Sequence, residues 1–180
     1  IKTYDAKNFK GKAACKADLQ RELGLPIGSA VPVIGMVCRL TEQKGFGFIL
    51  PMLDNLLQHN VQLAIVGTGD PDICRYLHDM AQRFPQKLAF HQDFSVRKAH
   101  MIEAGSDFFL MPSLFEPCGL NQMYSLAFGT LPIVRAVGGL KDTVVDLAQS
   151  PQTATGFLFS EPNQHALLAC VERALLFYYE

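Results

Sequence analysis

Six short apolar runs, each followed by a segment of helical periodicity, constrain this chain more than any other feature. The runs cover residues 33–38, 62–66, 87–90, 107–111, 131–135 and 156–159. Each is near-continuously apolar instead of alternating, the pattern of strands buried on both faces. The intervening segments read as helices over 12–23, about 71–83 and 95–104, then after the 115–122 loop and after Gly138-Gly139, and finally over 163–178. Gly24 and Gly105 end two of them, and Pro71 suits a first turn. A further helix over roughly 46–59 carries Gly47 and Pro51, which predict a kink or a start nearer Pro51. Strands that alternate with helices give an α/β fold, a parallel sheet with helices on both faces. No repeat, low-complexity tract or linker interrupts the pattern, so residues 1–180 read as one domain.

Composition narrows the function classes. The 180 residues are 49% hydrophobic with a net charge of -1, and no basic block marks a nucleic-acid or acidic-membrane surface. No apolar run approaches the roughly 18 residues a membrane span needs. The chain opens on Ile1, not Met, and its first residues lack the apolar core of a signal peptide, which fits a piece of a longer protein. Five cysteines are scattered without a Cys-x-x-Cys pair, and the five histidines show no His-x-x-x-His spacing. Free thiols in a reducing compartment and no metal site are expected.

In an open parallel sheet, ligands bind at the carboxyl edge of the strands. The polar loops fall there. Arg39 and Lys44 follow the first strand, Gly67-Thr68-Gly69-Asp70 the second, Phe94 the third, Glu116 to Asn121 the fourth and Gly138-Gly139 the fifth. Two cations with amide-presenting loops and helix starts suit a diphosphate. A carboxylate beside them suits sugar hydroxyls, and an aromatic suits a base. Each residue also has a plainer reading: Arg39 and Lys44 as solvated charges, Gly67 to Asp70 as a turn with a helix cap, Phe94 as core, Cys118 as packing, His100 as a hydrogen-bonded helix residue. No Gly-x-Gly-x-x-Gly, P-loop or Gly-x-Ser-x-Gly motif is present, which argues against the common dinucleotide, nucleoside triphosphate and hydrolase sites.

Several segments resemble bacterial glycogen synthases and plant starch synthases. They are Val37 to Gly45 with Arg-Leu-Thr-Glu-Gln-Lys-Gly, Gly67 to Asp70, Ala99 to Gly105, Phe115 to Gln122 with Glu-Pro-Cys-Gly-Leu, and Gly129 to Arg135. The resemblance runs in order over about residues 4–160. It implies the GT-B fold, two Rossmann-like domains facing a cleft, of which this chain resembles the C-terminal, donor-binding one. It implies transfer of glucose from ADP-glucose to the non-reducing end of an α-1,4-glucan, with retention. By position, Arg39 and Lys44 would bind the diphosphate and stabilise the leaving nucleotide, and Glu116 would meet the transferred glucose. The amides of Cys118, Gly119 and Leu120 would contact its hydroxyls, and Asn121 the phosphate. Gly67, Thr68, Gly69 and Asp70 would line the nucleotide pocket. Phe94, where the family usually has Tyr, would stack on adenine. Tyr124 stands where many other retaining transferases carry a second Glu, eight positions after the first, and so favours the synthases.

The family's Lys-x-Gly-Gly-Leu loop and crossing C-terminal helix are absent from these residues, so the glucan would be bound through a missing N-terminal domain and this chain alone is expected to be inactive. No cofactor or metal is implied, because the cations replace one. Leu114, Met101 and Val137 depart from the family's usual Arg, Arg and Thr. These changes are expected near the cleft. The resemblance implies bacterial cytoplasm, with plastid stroma as the alternative. The rival functions are another retaining GT-B transferase and a non-catalytic nucleotide-sugar-binding module.

Overall fold

The computed structural model describes residues 3–5 and 7–180. Among these residues there are six strands, β1 (Val33–Val37), β2 (Gln62–Val66), β3 (Leu88–His91), β4 (Phe108–Met111), β5 (Leu131–Arg135) and β6 (Phe157–Phe159). Seven helices accompany them: α1 (Lys10–Glu22), α2 (Phe46–Leu56), α3 (Pro71–Arg83), α4 (Val96–Gly105), α5 (Asn121–Ala127), α6 (Gly138–Thr143) and α7 (Gln164–Tyr179). All pairings are parallel and the strand order is β3-β2-β1-β4-β5-β6, the Rossmann-like arrangement.

Side chains of a strand alternate between faces, so each strand feeds two cores. Ile34, Met36, Phe108 and Leu110 pack with α2, α3 and α7. Val33, Phe109 and Met111 pack with α1, α4 and Leu140 of α6. The continuous apolar runs therefore reflect burial on both sides.

Local chemistry accounts for several helix starts. Asp70 accepts from the amides of Asp72 and Ile73, with Pro71 at the first position of α3. Ser95 caps α4 through the amide of Lys98, and Asn163 caps α7 through that of Ala166. Gly24, at φ 74, follows α1 in the left-handed conformation. Of the two starts open to the helix around Pro51, the structure has the earlier one. The helix begins at Phe46, five residues ahead of the proline, and Pro51 lies inside it. Phe46, Phe48, Ile49, Met52, Leu53 and Leu56 are all buried, and that packing outweighs a proline penalty of about 3 kcal/mol.

The helix opened by Gly138-Gly139 is shorter than its apolar spacing predicts. It ends at Thr143, after which Val145 pairs with the Thr155–Gly156 segment. Between β1 and β4 the chain reverses its direction of travel across the sheet. Such a switch point opens a crevice at the carboxyl edge, and the loops there carry the candidate residues.

Candidate functional site

The loops after β1 and β2 continue their pairing beyond the sheet. Cys38 N–H donates to Val66 O at 3.3 Å, Leu40 N–H to Thr68 O at 3.0 Å and Asp70 N–H to Leu40 O at 2.8 Å. A Cβ on Gly67 would lie 2.1 Å from Cys38 O, and one on Gly69 2.3 Å from Leu40 O. These glycines therefore permit close backbone contact, while Asp70 caps α3. The turn-and-cap reading of Gly67 to Asp70 accounts for their geometry.

After Leu40 a short 3-10 turn, Glu42–Lys44, ends in Gly45 at φ 87. It is stitched to the loop after β4. Leu114 N–H donates to Gln43 O at 2.8 Å, and Gln43 Nε2 donates to Phe115 O at 3.2 Å. Lys44 Nζ consequently reaches Glu116 Oε2 at 2.6 Å, with the two side chains 19% and 13% exposed. Ser113 Oγ donates to the same carboxylate oxygen at 3.2 Å. A largely desolvated carboxylate is thus neutralised by the lysine that the sequence places with the diphosphate.

Three further residues hold this loop. Arg135, at the end of β5, donates through Nε to Ser113 O at 2.9 Å and through Nη2 to Leu114 O. Buried Gln122 donates through Nε2 to Cys118 O at 3.2 Å and Gly119 O at 3.0 Å. Gly139 N–H donates to Glu116 O at 3.1 Å, and a Cβ there would lie 1.9 Å from Cys118 O. That corrects the expectation for Gly138-Gly139. The amide of Gly139 is occupied by the Glu116 loop and is not presented to a ligand. Arg135 and Gln122 carried no sequence signal beyond a charge at a strand end and an amide in a first turn.

Two adjoining clefts, of about 260 Å³ and 180 Å³, share Val37, Cys38, Arg39 and Asn121. The larger adds Gly67, Asp93, Phe94, Ala99 and Glu103; the smaller adds Lys44 and Ser113. Glu116 joins through Lys44. Phe94 is 84% exposed at the rim, so it is not core. Asn121 Nδ2 donates to Val37 O at 3.3 Å, tying α5 to β1. Burial pushes the Cys38 thiol up to about 12, which leaves it a protonated packing group. Lys98, at 2.9 Å, and the Phe94 amide hold Asp93 below the usual carboxylate range.

Thr68, Gly69, Asp70, Cys118, Gly119, Leu120 and Tyr124 line neither cleft. They lie in the adjoining loops and on α5, with Cys118, Leu120 and Tyr124 exposed. Met101, expected near the cleft, is instead buried in the core against α1. His100 is hydrogen-bonded as expected, through Nδ1 to Glu103 Oε2 at 3.0 Å. Among the described residues, no three His, Cys, Asp or Glu side chains gather to hold a metal ion. No helix among them is long and apolar enough to cross a membrane.

A crevice with paired charges at a Rossmann-type switch point fits many nucleotide-using proteins, and family comparison separates them. Residues 24–176 match the family described as glycosyl transferases group 1. The chain belongs to this family.

Among group 1 transferases, the chain is 60% identical to glycogen synthase from Aeromonas salmonicida over 176 residues, 98% of this chain and 36% of that relative. It is 59% identical to glycogen synthase from Vibrio cholerae over 94% of this chain and 35% of that one. The chain thus spans about a third of the length of the curated relatives it matches. Among solved structures it matches the catalytic domain of starch synthase IV from Arabidopsis thaliana, bound to ADP and acarbose, with a TM-score of 0.90 and 33% identity. That match covers 98% of this chain and 37% of the other. Sucrose-phosphate synthase from Thermosynechococcus elongatus matches at a TM-score of 0.68 and 26% identity, over 91% of this chain and 40% of that one.

Proposed function

We propose that residues 1–180 form the nucleotide-sugar-binding domain of an enzyme that transfers glucose, with retention, from ADP-glucose to the non-reducing end of an α-1,4-glucan. The observation that carries this reading is the Lys44–Glu116 pair in a crevice that also holds Arg39 and opens at Phe94. Arg39 and Lys44 meet the diphosphate and offset the charge that develops on the leaving nucleotide, an electrostatic role needing no metal. As the phosphates engage Lys44, the Glu116 carboxylate is released to accept hydroxyls of the transferred glucose. Phe94 stacks on the adenine. The Cys118 to Leu120 amides complete the glucose contacts.

The acceptor glucan is held by the rest of the longer protein. Alone, this chain binds nucleotide weakly, because one wall leaves the cations in water, and it transfers nothing, because the reactants are not held together. The scattered thiols and the bacterial relatives support a bacterial cytoplasmic setting. The test incubates the longer protein, and separately this chain, with ADP-[14C]glucose and glycogen and follows label in polymer. The reading expects incorporation by the longer protein alone. A longer protein that labels polymer from UDP-[14C]glucose and not from ADP-[14C]glucose would overturn the donor assignment. Sustained incorporation by this chain above a Glu116→Gln control would overturn the division of labour.

A further inference from the structure

Two carboxylates line the larger cleft, Asp93 and Glu103. Asp93 is engaged by Lys98 and by the amide of Phe94. Glu103 is different. Its side chain is 4% exposed, and His100 is the one partner its carboxylate has among the described residues. A carboxylate so far removed from water ordinarily gathers several hydrogen bonds. The contact to His100 is made by Oε2, which leaves Oε1 without a hydrogen-bond partner among the described residues, and the space Glu103 lines is the cleft.

Glu103 is also well held. Val96, Ala99 and Glu103 share the face of α4 turned to the cleft. The end of that helix is fixed by Thr130 Oγ1, which donates to Glu103 O at 2.5 Å, and by Tyr4 Oη, which donates to Ala104 O at 2.9 Å. A nucleoside diphosphate whose phosphates meet Arg39 and Lys44 and whose base meets Phe94 must place its ribose inside this cleft. The ribose offers two vicinal hydroxyl donors, and a carboxylate is the acceptor that matches them.

We infer that Glu103 binds the ribose hydroxyls of the donor nucleotide, oriented by His100, and so selects unmodified ribonucleotides. This rests on the donor-site reading above. In the dinucleotide-binding fold an acidic residue does the same work from near the end of a strand. Here it comes from the helix that packs beside β1, and a 2′-phosphate would meet a fixed negative charge.

The test is calorimetric titration of this chain with ADP and with 2′,3′-dideoxy-ADP. Wild type should prefer ADP by roughly tenfold or more, the value of hydrogen bonds to a charged group. Glu103→Gln should narrow the preference to within about threefold while leaving the dideoxy affinity within about twofold of wild type. His100→Ala, at a position whose side chain is 61% exposed, should narrow it in part and carries the test if the Gln variant does not fold. Equal weakening of both nucleotides, or an undiminished preference in both variants, would assign Glu103 to packing and overturn the inference with the donor site intact. A wild type that binds neither nucleotide would overturn the donor-site reading itself.

Discussion

Deleting the Lys44 amine should destabilise the chain, and deleting the Glu116 charge as well should restore most of the loss. Lys44→Ala strands the Glu116 carboxylate, whose side chain is 13% exposed with the lysine in place, with Ser113 Oγ as its remaining side-chain donor. Breaking a fully buried pair costs about 3–5 kcal/mol, and an exposed pair is worth about 0–1 kcal/mol. With both side chains partly wetted and one hydrogen bond retained, the cost should be about 1–3 kcal/mol. For a domain of this size that lowers Tm by roughly 3–10 °C. Glu116→Gln in the Lys44→Ala background removes the stranded charge, so the double variant should recover about 1–2 kcal/mol over the single. The assay is urea and thermal denaturation of wild type, both single variants and the double, read by circular dichroism. Free energies that add within about 0.3 kcal/mol would show that the two groups are uncoupled in solution. The argument that the cleft is preset as a neutralised pair would then fail.

Phe94→Ala should weaken ADP binding and Phe94→Tyr should not, because the ring face supplies the contact; equal affinities for wild type and Phe94→Ala in side-by-side titrations would remove Phe94 from the site. Asp146 is buried, which alone would raise its pKa, but the Arg173 guanidinium and the amides of Leu158 and Ala148 together outweigh burial and hold it low. A folded pKa below the unfolded value of about 3.9 contributes stability above that pH and loses it as pH falls through the folded value. Asp146→Asn should therefore cost stability at pH 7, and the gap to wild type should close in acid; a gap constant from pH 7 to pH 2 would contradict this. Gly139→Ala puts a Cβ 1.9 Å from Cys118 O, so urea denaturation should show a loss of about 1–3 kcal/mol, and wild-type stability would show that the Glu116 loop is not held there.

Features decided by neighbouring residues were legible in the sequence. Helix α3 runs over Pro71–Arg83, as expected, because its cap and its proline act locally. Helix α2 begins at Phe46, where its expected range of roughly 46–59 puts it and not nearer Pro51, because burial of six apolar side chains overrides the proline, and burial is a tertiary fact. The cations after β1 could be placed at the sheet edge because the strand ahead of them is unmistakable. Their engagement could not. Lys44 and Glu116 lie 72 positions apart, and only the switch-point crossing joins them. Arg135, Gln122 and Glu103 escaped notice for the same reason, since each acts on a backbone or cleft contributed by other elements. The glycine pair at 138 and 139 looked like a ligand loop because a glycine that admits a ligand and one that admits another backbone are identical in sequence.

The most direct test of the account is to titrate the chain with ADP and follow backbone amide resonances by NMR. The account predicts perturbations concentrated at Arg39, Lys44, Phe94, Glu103 and Asn121, the residues gathered at the β1–β4 switch point. Shifts confined to other surfaces, or none at millimolar ADP, would contradict it.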